Sequence, residues 1–226
     1  IWHSRWTCPG WAFCPRKPHP FGNEYHSACC GISTIMFVIE MVEGKDAPDL
    51  LRRPYEAMGK TAGLLLRMLS SYFGTGRYIV LDSGFCVLKA IVELKRNGLF
   101  GCALIKKIRY WPTGVPGEAM DGFMLEEGVQ VGDCNAISGT LDGVPYNLWA
   151  MKEPDYTMKM MATSGSLMAD ETCRTTSRHW VENGEEKTKE FSYILPFDHH
   201  FRYRHAVDDH INLCHSLPSL EDTWVT

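Results

Sequence analysis

A short apolar run, Tyr78–Leu81, stops abruptly at Asp82-Ser83-Gly84. An amphipathic stretch from Val87 to Arg96 follows, closed by Gly98, and Cys102–Ile108 then reads as another strand. A strand, a helix and another strand in so short a span leave few options. A helical crossover joins parallel neighbours, whereas antiparallel neighbours need only a tight turn. Upstream, Pro54 to about Phe73 reads as a helix. Leu64, Leu65, Met68, Leu69 and Tyr72 recur at helical spacing there, and Gly74 and Gly76 close it. Thr34–Val42 is a nearly continuous apolar run and reads as a central strand buried on both faces, with Glu24–Cys30 as a strand before it. The succession predicts an α/β domain with at least one parallel strand pair.

The remaining segments are plainer. Residues 8–22, around Pro15, Pro18 and Pro20, read as an extended loop. Residues 111–145 are rich in Gly and turn residues. Asn147–Lys152 and Thr157–Thr163 read as strands paired across Pro154-Asp155. Residues 170–190 are polar and charged and read as an exposed excursion. Phe201–His215 reads as a helix. No internal repeat is seen. The 226 residues suit one domain with an insert, and 45% apolar with 22% charged residues excludes disorder over the whole length. No apolar run approaches the roughly 20 residues that span a membrane, and no signal-peptide pattern is read. The chain opens at Ile1 inside a Trp-rich stretch, which reads as an interrupted domain.

A net charge of −4 argues against a dedicated nucleic-acid-binding module, because Lys and Arg contacts to phosphate supply most of such a module's affinity. It permits a nuclease-like core with a local basic patch. Nine cysteines contain no C-x-x-C pair, and Cys29 and Cys30 are adjacent, so the spacing favours reduced, mostly buried thiols over a zinc or disulfide framework.

Three features carry candidate chemistry. Asp82 stands at the end of an apolar strand, where open α/β sheets place their active sites. The residues alone leave open, and favour, a plain helix cap, because Asp-Ser before a helix satisfies orphan N–H groups. The second feature is His205-Ala206-Val207-Asp208-Asp209-His210, whose adjacent carboxylates repel unless a cation or water offsets them. In one helix over 201–215, Tyr203, Val207, Ile211 and Cys214 form an apolar stripe with Asp208 at its edge and Asp209 opposite. His199, His200, His205, His210 and His215 hint at zinc but form no standard ligand pattern, so solvated or core-edge histidines are the commoner reading. The third feature is a basic group, Lys95, Arg96, Lys106, Lys107 and Arg109, opposed across residues 86–112 only by Glu93. A charge run is usually a solvated face, but this one follows the candidate strand, where a phosphate backbone would pass.

The ordered set Arg16-Lys17-Pro18-His19-Pro20-Phe21-Gly22-Asn23-Glu24, Tyr78-Ile79-Val80-Leu81-Asp82-Ser83-Gly84-Phe85, Ala103–Pro112 with Gly114-Val115-Pro116-Gly117, Met151–Tyr156 and His205–His210 resembles piggyBac transposases over almost the whole chain. The resemblance implies a ribonuclease-H-like mixed sheet with flanking helices and an insert, at about 111–190, before the last catalytic helix. It implies one incomplete catalytic domain over 1–226, belonging to a nuclear cut-and-paste transposase. Its partners would be the DNA of transposon ends and target, and it would act as a homodimer without a membrane. Three aspartates and two divalent ions, Mg²⁺ or Mn²⁺, would do the work. Asp82 corresponds to the second aspartate and Asp208 to the third, as catalytic and metal-binding residues. The first lies upstream of Ile1 in an Asp-Glu motif, and a cysteine-rich zinc module would follow Thr226. A further family aspartate falls where this chain has Ile211. A domesticated relative that binds DNA or chromatin without cutting it is the alternative. An unrelated hydrolase finds no support, since neither a G-x-S-x-G elbow nor a Gly-rich phosphate loop is present.

Overall fold

The computed structural model describes residues 11–15, 20–42, 54–106, 111–112, 115–163 and 170–216. The chain divides into two compact units, residues 59–204 and residues 1–58 with 205–226.

The larger unit is built on the predicted crossover. α1 (Lys60–Leu69) buries Leu64, Leu65, Leu66, Met68 and Leu69. It starts later than Pro54, because the chain first makes a single 3-10 turn at Glu56–Met58. β5 (Tyr78–Leu81) then leads through a 3-10 turn, Ser83–Phe85, into α2 (Leu88–Arg96), and β6 (Phe100–Leu104) returns parallel to β5 with Leu81 opposite Ala103. Gly98 ends α2 with φ +72, and a Cβ there would stand 2.8 Å from the Gly74 Cα, so only glycine lets these two loops meet.

The Gly-rich stretch after β6 is more regular than its composition suggests. It holds α3 (Gly117–Leu125) and β7 (Cys134–Leu141), followed by β8 (Val144–Lys152) and β9 (Thr157–Ala162). β8 and β9 pair antiparallel, as the sequence predicts, with Lys152 opposite Thr157. One five-stranded sheet results, in the order β5-β6-β9-β8-β7. Only β5 and β6 are parallel; the remaining neighbours are antiparallel.

Register fixes the two faces. Trp149, Met151, Met158, Met160, Ala162 and Cys102 share one face, covered by Tyr193, Ile194 and Phe197, the last of these on α4 (Leu195–Tyr203). Ala103, Leu148, Ala150 and Met161 point the other way. α2 lies on that side, its Leu94 beside Gly101. Phe197, Met151 and Met160 are fully buried, each contributing on the order of 1.5–3 kcal/mol of transfer free energy. The polar excursion is a regular hairpin, β10 (Thr175–Glu182) and β11 (Glu185–Ser192). Its Asn183 (φ 55) and Gly184 (φ 83) form the left-handed pair that a tight two-residue hairpin turn requires.

In the smaller unit, β1 (Trp11–Phe13) and β2 (Phe21–Asn23) form a short antiparallel ribbon where the sequence suggests only loop, with Phe21 stacked on Trp11 and Phe13. β3 (Tyr25–Cys29) and β4 (Met36–Met41) form a hairpin. β4 is therefore not a central strand among the described residues. It pairs with β3 alone, and Ile39 is 61% exposed. α5 (Ala206–Ser216) lies against β3, with Ala206 buried. The expected single helix over 201–215 is thus two helices. α4 ends at Tyr203 because its contacts belong to the sheet of one unit, whereas α5 packs in the other. No described helix is long and apolar enough to cross a membrane.

Candidate functional site

The C-terminal end of the parallel pair is the natural place to look for chemistry, since strand ends expose backbone and leave room for side chains. Asp82 follows β5 there and is exposed. Its carboxylate does not cap the following turn, and the residue that precedes α2 is Val87. The turn is instead closed by the backbone, with the Phe85 N–H donating to the Asp82 carbonyl at 2.9 Å. The Ser83 hydroxyl reaches Asp82 Oδ1 at 3.4 Å. The capping role that the residues alone favoured is absent, and Asp82 stands exposed at the C-terminal end of β5.

Topology divides the basic group. β6 runs parallel to β5, so Lys106, just beyond Leu104, leaves the sheet at the Asp82 edge and is exposed. α2 runs back the other way over its nine residues, about 13 Å. Lys95 and Arg96 therefore sit at the opposite edge. Lys95 Nζ donates to the carbonyls of Thr163 at 2.8 Å and Pro145 at 3.1 Å. Arg96 pairs with buried Glu93 and donates to the Asp142 carbonyl at 3.2 Å. Both cations hold the β7–β8 turn and the end of β9 onto α2. Lys107 and Arg109 lie outside the described residues.

Lys159, which the sequence did not single out, sits at the Asp82 edge. β9 runs antiparallel to β6, and the Ile105 N–H donates to the Lys159 carbonyl at 2.8 Å. The Lys159 ammonium pairs with Asp121 at 2.5 Å and stands 5.2 Å from the centre of the Trp111 ring.

In the smaller unit, Asp208 lies in the first turn of α5 with its side chain 73% exposed, 3.9 Å from His205 Nδ1. Asp209 is also exposed. The packed side of α5 carries Ala206 and His210, whose Nδ1 meets the Thr34 carbonyl at 2.8 Å. Ile211 and Cys214, expected to pack, are exposed.

The histidines scatter. His199 packs edge-on against Tyr78 at 4.3 Å; burial lowers its pKa, and neighbouring Arg202 adds to that. His200 is buried. Among the described residues no three His, Cys, Asp or Glu side chains gather as a metal centre. A divalent ion such as Mg²⁺ takes one or two carboxylates with waters and substrate oxygens. Asp82 is suited to be one such donor, but the described residues do not complete a site.

Two buried ion-pair systems also escaped the sequence. Glu153 accepts from Arg178 Nε at 2.7 Å and Nη2 at 2.9 Å. Asp198 holds Arg174 at 3.0 Å and Arg202 at 2.8 Å. Nothing in local spacing announces a pair 25 positions apart such as Glu153 and Arg178.

A DDE transposase family model described as Transposase IS4 matches residues 1–224. Among solved structures, the chain is similar to the piggyBac transposase of a synaptic complex with hairpin DNA, determined by cryo-EM. The TM-score is 0.61 at 15% identity, over 93% of this chain and 38% of that one. At that identity the likeness concerns the fold, a mixed α/β arrangement, and the chain spans 38% of the other's length. No curated protein matches the chain.

Proposed function

The chain belongs to the Transposase IS4 family, and from that premise we propose that it is part of the catalytic domain of a piggyBac-like transposase that cuts and rejoins DNA in the nucleus. Asp82 and Asp208 are the metal-binding carboxylates of this reading. Transposases of this DDE family generally use divalent metal ions, and Mg²⁺ or Mn²⁺ is the proposed pair of ions. In phosphoryl transfer the protein mainly positions groups and offsets charge, so carboxylates at a strand end are the residue type the chemistry requires. DNA enters the reading because the similar piggyBac structure is a DNA complex. The ribonuclease-H-like sheet, the insert at 111–190, the single domain over 1–226 and a homodimer belong to the same reading.

One observation carries it. Asp82 is an exposed carboxylate at the end of a parallel strand pair, with no side-chain role in capping the turn behind it. Lys106 at the same edge suits a passing phosphate, with Lys107 and Arg109 proposed beside it. Lys95 and Arg96 are the weaker members of the proposed DNA-binding group, since both are engaged by sheet carbonyls. Ile211, in place of a further family aspartate, favours a second reading, a relative that binds DNA without cleaving it.

The test uses the full-length protein and duplexes carrying the transposon ends, with Mg²⁺ or Mn²⁺. Asp82→Asn should abolish strand cleavage while leaving DNA binding and thermal unfolding near the unmodified protein's. Cleavage that survives Asp82→Asn overturns the assignment. Binding without any cleavage by the unmodified protein establishes the second reading instead.

A further inference from the structure

At the base of the β10–β11 hairpin a polar cleft of about 200 Å³ opens between Arg174, Thr175, Thr176, Tyr193, Phe201 and Arg204. Its walls combine two guanidinium groups, three hydroxyls and two aromatic rings. The rings are stacked, with centres 5.0 Å apart, and the Arg204 guanidinium lies 4.9 Å from the centre of Phe201. Arg174 is fixed from beneath. Its Nε and its backbone N–H both donate to Asp198 Oδ1, at 3.0 and 3.1 Å, yet its side chain stays 45% exposed. Arg178 braces the other wall, donating to Thr176 Oγ1 at 3.0 Å and to the Tyr193 hydroxyl at 2.9 Å.

Arg174 and Arg204 line the cleft and Arg178 braces one wall, while Asp198 and Glu153, which hold Arg174 and Arg178, are buried. The lining itself carries two guanidinium groups and no carboxylate. Planar guanidinium groups match phosphate oxygens in pairs, and threonine hydroxyls donate to the same oxygens. A small-molecule site would enclose most of its ligand, whereas this cleft is open along one side and suits a strand that passes through. Aromatic rings beside arginines are the combination on which nucleic-acid strands rest. Lys95 and Arg96 at the end of α2 are engaged by carbonyls, so this cleft would add phosphate contacts to the one that Lys106 offers at the Asp82 edge.

We propose that this cleft seats the phosphodiester backbone of DNA, with Arg174 and Arg204 as its phosphate contacts, a proposal that rests on the DNA-handling reading above. The experiment is a fluorescence-anisotropy titration of the 226-residue chain with a labelled random-sequence duplex across a range of salt concentrations. Arg204→Gln should weaken binding by about threefold to tenfold and reduce the salt slope by about one. Arg204→Lys should restore most of the slope, and Lys60→Gln, which removes an equal charge at the start of α1, should leave it unchanged. Thermal melts of each variant separate lost binding from lost folding; if Arg204→Gln melts early, Thr175→Ala takes its place and should weaken binding with an unshifted melt. Binding by the unmodified chain that neither cleft variant alters overturns the cleft and spares the transposase reading. No binding by the unmodified chain overturns the cleft and DNA contact by this chain together.

Discussion

Arg178 on β10 closes a two-pronged pair on Glu153, just past the end of β8, at 2.7 and 2.9 Å. Glu153 is 4% exposed, so its charge has left water, and the fork of one arginine is its main compensation. The same guanidinium donates to the Tyr193 hydroxyl at 2.9 Å. One side chain thereby ties the hairpin, the sheet end and the wall of the arginine cleft together.

Removing only one partner should be worse than removing both. Arg178→Leu strands a buried carboxylate and should cost about 3 kcal/mol, whereas Glu153→Leu with Arg178→Leu should recover much of it. Urea unfolding of the two variants and the parent decides it. Equal stability of the single and double variants would show that Glu153 is solvated in the fold.

Asp198 makes stability depend on acid. Burial by itself pushes its carboxyl up. The Arg174 backbone N–H, the Arg174 guanidinium and Arg202 outweigh that, and hold it below the usual aspartate value. The folded value is thus lower than the unfolded one. The pairing adds stability above the unfolded value and loses it as pH falls through the folded value. The melting temperature should fall with acid below about pH 4. Asp198→Asn should be less stable at neutral pH, and its melting temperature should fall less over that window. A parallel acid profile for parent and variant would refute the assignment.

What could be read in the sequence follows from how local the causes are. The β5–α2–β6 crossover was legible because an apolar run, a turn and a helical period lie side by side, with Gly98 marking the stop. The β10–β11 hairpin was missed although its signal was present, Asn183-Gly184 between two polar stretches. High charge masked a strand pair that is anchored by Arg178 together with the aromatic Phe191, rather than by an alternating apolar face. β4 misled for the opposite reason. Its continuous apolarity suggested two buried faces, but burial depends on neighbours that a local run does not reveal. The basic group shows the same limit. Spacing found the charges, while only the direction of α2 shows that Lys95 and Arg96 point away from the Asp82 edge and Lys106 toward it.

The phase of α5 separates its two aspartates. Ala206 is buried and His210 bonds the Thr34 carbonyl, so these positions, one turn apart, define the packed side. At about 100° per residue, Asp208 stands about 200° from Ala206, on the far side of the helix. Asp209 stands about 60° from Ala206 and turns back toward the hairpin. Two facts agree with that placement. The Asp208 side chain is 73% exposed. The Asp209 charge helps to raise the Cys29 thiol pKa, after burial and the neighbouring Cys30, and the Cys29 thiol donates to the Ala206 carbonyl at 3.4 Å. Asp208 thus has the freedom a ligand-binding carboxylate needs, and Asp209 faces its own unit. The sequence places Asp208 at the edge of a packed stripe and Asp209 opposite it; the structure differs, since the stripe through Tyr203, Ile211 and Cys214 is not the packed face, and Asp208 as the metal ligand is a proposal. In the full-length protein, Asp208→Asn should remove metal-dependent strand cleavage, at least about a hundredfold in rate, and Asp209→Asn should retain most of it. Asp209→Asn should instead lower the pH at which Cys29 reacts with a thiol reagent. Equal loss of cleavage from both substitutions, or the reverse order, would overturn the assignment of Asp208 as the ligand.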